Sequence, residues 1–313
     1  MSDLSPPSTW IIIPVHNRKA TTLDCLRLLI DQGATDWARV LVVDDGSTDG
    51  TGEAVRGSLP EAVVLRGDGS LWWGGAMRLG MEHAWRGGAE HVFWLNDDCE
   101  PMPGTLAELL RVSRERHAIT VAPCVLRETG EAHYGGSVRT LTGQRQVAAA
   151  AGQITPCEVM AGNCVCIPRA VMDKVGFIDS GAFPHVFGDG DYSLRAVEAG
   201  FEVLLVGDAI CLSTYGSGKN RQSWLVGEAT VRELWGQCFN PFYGPLSRTC
   251  LLFKIRYWGL LGLVGPARDF TRLVAVSLIR LVFPRGLIRA VAGRRSEAQA
   301  RVEASRRLEE QTR

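Results

Sequence analysis

Closely spaced carboxylates recur along the chain where an apolar run gives way to a loop. Asp44-Asp45 follow Val40-Leu41-Val42-Val43, and Asn96-Asp97-Asp98 follow His91-Val92-Phe93-Trp94-Leu95. Asp189 and Asp191 stand in Phe187-Gly188-Asp189-Gly190-Asp191-Tyr192, ahead of a helical pattern. Adjacent carboxylates such as Asp97 and Asp98 offer hard oxygen ligands, which suit a divalent cation carrying a phosphate-bearing substrate. Taken alone, Asn-Asp-Asp is also a turn former, because Asx side chains bond their own backbone. Carboxylates at a helix start are likewise favoured as caps. It is the recurrence of acidic and glycine-rich loops after successive strands that favours a site.

The elements that must position these groups are legible as a β-α alternation. Val92 to Leu95 is an unbroken apolar run, the mark of a strand buried on both faces of a parallel sheet. Pro101 and Pro103 are expected to end its extension. Trp10 to Pro14 reads as a first strand stopped by Pro14, followed by a loop and a helix through Leu23, Leu26, Leu29 and Ile30 that Gly33 stops. Val40–Val43 and Ala62–Leu65 are the next strands. The glycine-rich stretch Gly67 to Gly75, with Asp68, Gly69, Trp72 and Trp73, reads as a long loop before a helix through Ala76, Leu79, Ala84 and Trp85. A helix after Pro103 and a strand at Ile119–Ala122 continue the pattern. Later, Val159–Ile167 reads as one strand, Pro168–Val175 as a short helix closed by Gly176, and Phe201–Val206 as a returning strand. Such alternation predicts a mostly parallel sheet with helices on both faces, and ligands in such sheets bind beyond the carboxyl ends of the strands.

Bulk properties narrow the class. The 313 residues carry 34 Lys plus Arg against 34 Asp plus Glu, so no net field draws the chain to nucleic acid. Residues 1–9 hold one acid, no base and no apolar core, unlike a signal peptide. The nine cysteines contain no Cys-x-x-Cys pair. Cys164 and Cys166 share one face of a strand at a spacing wrong for a zinc knuckle, so the thiols read as reduced core residues. The cytosol is the simplest compartment. Pro14 to Arg18 lacks the glycines of a dinucleotide fingerprint, and Gly216-Ser217-Gly218-Lys219-Asn220 fails as a P-loop at both ends. A metal-clamped diphosphate remains.

Beyond Gly216 the composition changes. Leu251-Leu252-Phe253 and Leu260 to Val264 alternate with Lys254, Arg256, Arg268, Arg272, Arg280, Arg285 and Arg289. None reaches the roughly 20 uninterrupted apolar residues that a spanning helix needs. Basic amphipathic helices of this kind lie in a membrane interface, or else pack on the core with arginines facing solvent. The chain therefore divides into residues 1–215, a catalytic domain, and 216–313, an amphipathic helical region with a mixed-charge tail from Arg294.

In order and spacing, four motifs resemble those of the family 2 glycosyltransferases, inverting enzymes with a GT-A-type nucleotide-diphospho-sugar transferase fold. They are Ile12-Ile13-Pro14-Val15-His16-Asn17-Arg18, Val42-Val43-Asp44-Asp45-Gly46-Ser47-Thr48-Asp49-Gly50-Thr51, Asn96-Asp97-Asp98 and Gly188-Asp189-Gly190-Asp191. Residues 68–73 and 162–169 look like the branch of bacterial rhamnosyltransferase-like enzymes. The resemblance implies that Pro14, His16, Asn17 and Arg18 line a nucleotide pocket and that Asp44 and Asp45 hold the nucleobase. It implies that Asp98 binds Mg²⁺ or Mn²⁺, with Asn96 in the motif's first position and Asp97 nearer the ribose. Asp189 matches the catalytic base, with Gly188 in place of the usual Glu and Asp191 as the alternative base.

Further candidates are less specific. Arg78 stands where the family often has Asn, and either contacts the diphosphate or is exposed. Trp72 either stacks on a sugar or anchors packing, and His185 is a candidate acceptor contact. Cys211-Leu212-Ser213-Thr214-Tyr215 lacks the family's metal-site His. The activity implied is transfer of a sugar from a nucleotide-sugar donor to a glycan or lipid-linked acceptor at the inner membrane face, in bacterial cell-surface polysaccharide synthesis. A sugar-phosphate nucleotidylyltransferase would want a glycine-rich, lysine-bearing signature that residues 10–20 lack. A non-catalytic nucleotide-sugar-binding module is the third reading.

Overall fold

The computed structural model describes residues 8–127, 132–213, 229–242 and 244–284, with Gly130, Trp224, Gly286 and Ile288 as isolated positions. Strand and helix alternate at first: β1 (Thr9–Val15), α1 (Lys19–Asp31), β2 (Ala38–Asp44), α2 (Thr51–Ser58), β3 (Val63–Arg66), α3 (Trp72–Arg86) and β4 (His91–Leu95). Then come β5 (Cys99–Pro101), α4 (Thr105–Arg116), β6 (Ile119–Val121), β7 (Cys124–Leu126), β8 (Ala132–Tyr134), β9 (Gly136–Arg139), β10 (Gln144–Val147), β11 (Ile154–Cys157) and β12 (Val159–Met160). The rest comprises β13 (Cys164–Pro168), α5 (Arg169–Val175), α6 (Gly188–Glu198), β14 (Val203–Val206), β15 (Cys211–Ser213), α7 (Val231–Cys238), α8 (Arg248–Trp258) and α9 (Val264–Val282).

Eight strands form the central sheet in the order β11-β14-β6-β13-β4-β1-β2-β3. It is parallel except for β13, antiparallel to both neighbours, and β11, antiparallel to β14. Period-2 alternation explains why the strand sequences are apolar throughout. Ile11 and Ile13 face one core layer with Leu26 and Leu29 of α1 and Leu109 of α4. Trp10 and Ile12 face the other, with Met77 and Met81 of α3, Met172 of α5 and Tyr192 of α6. A smaller sheet, β5-β15-β7-β8, and a three-stranded one, β10-β9-β12, complete the fold.

Several expectations need correction. Pro14 does not stop β1: it pairs with Val43, and the strand runs on to Val15. Val15 O accepts from Asp45 N–H, so its neighbour Pro14 faces the β4 side, where the ladder has already ended at Ile12 and Trp94; no donor is needed there. Helix α3 begins at Trp72 rather than after Gly75, because the Asp45 carboxylate accepts the Trp72 N–H and caps it from across the sheet. Cys99–Pro101 is a strand of the small sheet, paired with β15. The expected strand 159–167 breaks at 161–163, and that break borders the site. The stretch 216–220 and the tail from Arg294 lie outside the described residues.

Helix α8 docks on the catalytic core. Phe253 is fully buried among Val159, Phe183 and Leu194 and stacks on Phe187 at 4.8 Å. Helix α9 packs on α7 through Leu273, Val276, Leu234 and Cys238. One side of this region packs on the core, while Leu260, Leu278, Leu281 and Val282 stay exposed. Among the described residues, no helix is long and apolar enough to cross a membrane.

Candidate active site

Asp97 and Asp98 leave β4 at its carboxyl end, beside α1. The Asp97 side chain is buried, accepts the Thr22 hydroxyl at 3.1 Å and lies 3.3 Å from Nη1 of Arg18. The same guanidinium donates from Nη2 to Asp98 at 3.1 Å. Burial pushes the Asp97 carboxyl up to about 6; Arg18 opposes that shift and the Asp98 charge adds to it. Asp98 keeps 20% of its side chain open to solvent. One open carboxylate beside a buried one fits a hard divalent cation that takes its other ligands from a diphosphate. Thr22 escaped notice in the sequence, where it is one polar residue in a helical run.

The loops after β1, β2 and β3 knit into one floor. His16 Nδ1–H donates to the Asp45 carbonyl at 2.5 Å. Asn17 donates its N–H to Ser47 Oγ, and its side-chain oxygen accepts from Thr48 N–H, both at 2.8 Å. Asp44 Oδ1 accepts from Ser47 N–H at 2.9 Å. The two oxygens of Asp45 accept the N–H groups of Gly69 and Trp72, at 2.8 and 2.9 Å. Both carboxylates are 5% exposed. Asp68 is exposed and bonds Ser70, which lowers its pKa. Asp45 therefore has both carboxylate oxygens engaged in positioning Gly69 and the start of α3.

Asp189 lies in the first turn of α6. Its Oδ2 accepts from Gly162 N–H at 2.9 Å and its Oδ1 from Gly190 N–H at 2.8 Å. Burial raises its pKa, and these hydrogen bonds and nearby His185 pull it back. A raised pKa suits a base that must take a proton from a hydroxyl. Gly162 has no room for a side chain: a Cβ there would lie 2.9 Å from the Trp73 ring and 3.1 Å from Asp189 Cβ.

Two candidates leave the site. Asp191 is wholly buried, with Oδ2 on Arg195 at 2.9 Å and Oδ1 on Arg256 at 2.6 Å and the Tyr257 hydroxyl at 2.7 Å. Sealed from solvent and paired with two guanidinium groups, it anchors α8 to α6 and is not placed to act as the alternative base. Arg78 donates to Glu82 at 2.9 Å and to the Ile178 carbonyl at 3.1 Å. Starting α3 at Trp72 carries it more than a turn along the helix, onto the segment after α5 and not toward a diphosphate.

Asp189 and the turn at 96–98 are linked through the break at 161–163. Asp189 bonds Gly162; the next residue, Asn163, accepts the Asn96 N–H at 2.9 Å and its Oδ1 accepts from Asn96 Nδ2 at 3.2 Å. Trp73 closes the circuit by donating its indole N–H to Asn96 Oδ1 at 2.8 Å. The motif at 96–98 and Asp189 are thereby tied to consecutive residues at one edge of the sheet. Asn163 was visible beforehand only as part of a family-like stretch. Trp72, 43% exposed, stacks on Phe242 at 3.9 Å and lies 5.7 Å from the His185 ring. Phe242, remote in sequence, gave no signal.

This fold is GT-A-like: a mostly parallel α/β sheet with acidic loops gathered at the carboxyl ends of its strands. The chain belongs to glycosyl transferase family 2, whose model matches residues 10–174, more than half of its length. Among solved structures it is similar to GalNAc-T7 with UDP, GalNAc and Mn²⁺, at 17% identity and a TM-score of 0.56, over 67% of this chain and 44% of that one. It is also similar to the mannosyltransferase PcManGT from Pyrobaculum calidifontis in complex with GDP-Man and Mn²⁺, at 18% identity and a TM-score of 0.52, over 93% and 82%. The chain thus spans less than half of the length of GalNAc-T7. No curated protein matches it by sequence.

Proposed function

We propose that the protein transfers a sugar with inversion from a nucleotide-sugar donor to a hydroxyl of a glycan or lipid-linked acceptor. The observation that carries this reading is the tie between Asp189 and the turn at 96–98 through Gly162 and Asn163. It supports a base and a charge-binding turn at one cleft. The solved structures with UDP or GDP-Man and Mn²⁺ support a nucleotide-sugar donor. The loops of His16, Asn17, Asp44 and Gly69 would receive the nucleotide, with Arg18 beside its phosphates. Asp98 would hold Mg²⁺ or Mn²⁺, which when bound neutralises charge on the leaving diphosphate. Asp189 takes the acceptor hydroxyl's proton as that oxygen forms its bond to the anomeric carbon. The bond from that carbon to the diphosphate breaks, and the nucleoside diphosphate leaves with the electron pair.

Asp189→Asn is expected to abolish transfer while donor binding by calorimetry persists. Full activity in that variant would remove Asp189 from the mechanism. Residues 68–73 and 162–169 make nucleotide-activated rhamnose the first donor to screen.

A peripheral membrane contact on the cytoplasmic face, as in cell-surface polysaccharide synthesis, is the finer part of the proposal. A cavity of about 1110 Å³ is lined by Lys254, Arg268, Arg272, Arg280, a single acid, Asp269, and Phe187, which is two positions from Asp189 in sequence. Such a lining suits an anionic acceptor, and the exposed apolar side chains of α9 nearby suit a lipid surface. Sedimentation with anionic vesicles should weaken when Leu278, Leu281 and Val282 become Ser; unchanged binding refutes the contact.

A further inference from the structure

Three thiols stand together directly behind the turn at 96–98. In the small sheet β15 pairs with β5 on one side and β7 on the other, so Cys99, Cys211 and Cys124 come from three adjacent strands. Cys211 and Cys124 are register partners. Their sulfurs all lie within 4.8 Å of one another, and those of Cys99 and Cys124 are 3.6 Å apart. Thiolates set tetrahedrally about 2.3 Å from a zinc ion are about 3.8 Å apart, so the cluster already has roughly coordination spacing. Each thiol is buried. Asn163 points Nδ2 at Cys124 Sγ from 3.9 Å, an N–H···S contact of the kind that orients metal-bound thiolates. Cys164 of β13 neighbours Cys211 but lies outside this close group of three sulfurs.

We propose that Cys99, Cys124 and Cys211 bind a soft, thiophilic divalent ion of the zinc class. The inference goes beyond the glycosyl-transfer reading and does not depend on it. Soft thiolates and the hard oxygen of Asp98 select different metals, so the two ions are chemically separate. Binding replaces three S–H bonds with three metal–sulfur bonds and releases three protons, with no change of oxidation state. The product carries one net negative charge, toward which Asn163 donates. Its effect is structural: β5 continues directly from Asp98, so clasping Cys99 to β7 and β15 holds the Asp97-Asp98 turn from behind. The ligands come from three separated stretches that only the strand order β5-β15-β7 brings together.

The test uses the full chain. Protein grown with zinc is desalted under reducing conditions and its metal content measured; stripped protein is then titrated with Co²⁺ or Cd²⁺ while thiolate-to-metal charge transfer is followed. One ion per chain and a band saturating at one equivalent are expected. Cys99→Ser and Cys211→Ser should lose both signals, whereas Cys157→Ser, a buried thiol of β11, should keep them. Asp98→Ala should also keep them, and losing them there would place the ion at the donor site and overturn the proposal. Absence of bound metal and of any band in the unmodified chain overturns it however the serine variants fold. So does an aerobic product lighter by two hydrogens through a Cys99–Cys124 disulfide that binds no metal.

Discussion

Replacing Asp97 by Asn should change how stability depends on pH. The carboxyl is buried, and its pKa is pushed from 3.8 up to about 6. That rise corresponds to ~3 kcal/mol of differential interaction. The sign follows from linkage: the folded state holds the proton more tightly than the unfolded chain. The associated stability is therefore complete below the unfolded pKa and is lost as pH rises through about 6. The amide introduced by Asp97→Asn carries no titrating group, and its carbonyl oxygen can still accept the Thr22 hydroxyl. Urea unfolding of both proteins with chelator present, from pH 4 to pH 8, isolates the effect. The variant should gain on the parent by about 2.5 kcal/mol across that range, with half the change by about pH 5 and most of it complete by about pH 6. A difference that stays flat, or that favours the parent as pH rises, would show that Arg18 outweighs burial and that Asp97 is ionised throughout.

Other outcomes follow from the same geometry. Asp191→Asn leaves Arg195 and Arg256 facing a lost carboxylate and should cost about 3–5 kcal/mol in unfolding free energy; a loss under about 1 kcal/mol would mean that the cluster does not hold α8. Gly162→Ala forces the Trp73 ring or Asp189 to move, and kcat should fall about 10²-fold while donor affinity changes little; unchanged kcat refutes the positioning argument. Because burial raises the Asp189 pKa, and only the ionised base accepts a proton, kcat/KM should fall with acidification at a pH above the ordinary carboxylate range. An acid limb at the ordinary value would remove the desolvated base.

Local pattern accounted for most of the scaffold. Continuous apolar runs such as Trp10–Ile13 mark strands because both of their faces are covered, and that is a property of adjacent residues. Boundaries failed where a distant group intervened. Trp72 begins a helix because Asp45, 27 positions earlier, caps it. The run 159–167 is broken where its backbone serves Asp189 and Asn96 instead of a ladder.

What the sequence by itself determined is the alternation of strand and helix, the acidic loops and their order, because each is written in contiguous residues with a fixed period or spacing. What only the tertiary structure decided is which carboxylate stays partly open and which is sealed into an ion-paired cluster. Asp189 and Asp191 look equivalent in the chain, two positions apart at a helix start. Yet one is held by backbone N–H groups beside Gly162, while the other is locked to Arg256, 65 residues away. The same holds for the thiols of Cys99, Cys124 and Cys211, brought together by strand order. Partner choice over such separations depends on how the layers pack, and no local pattern encodes it.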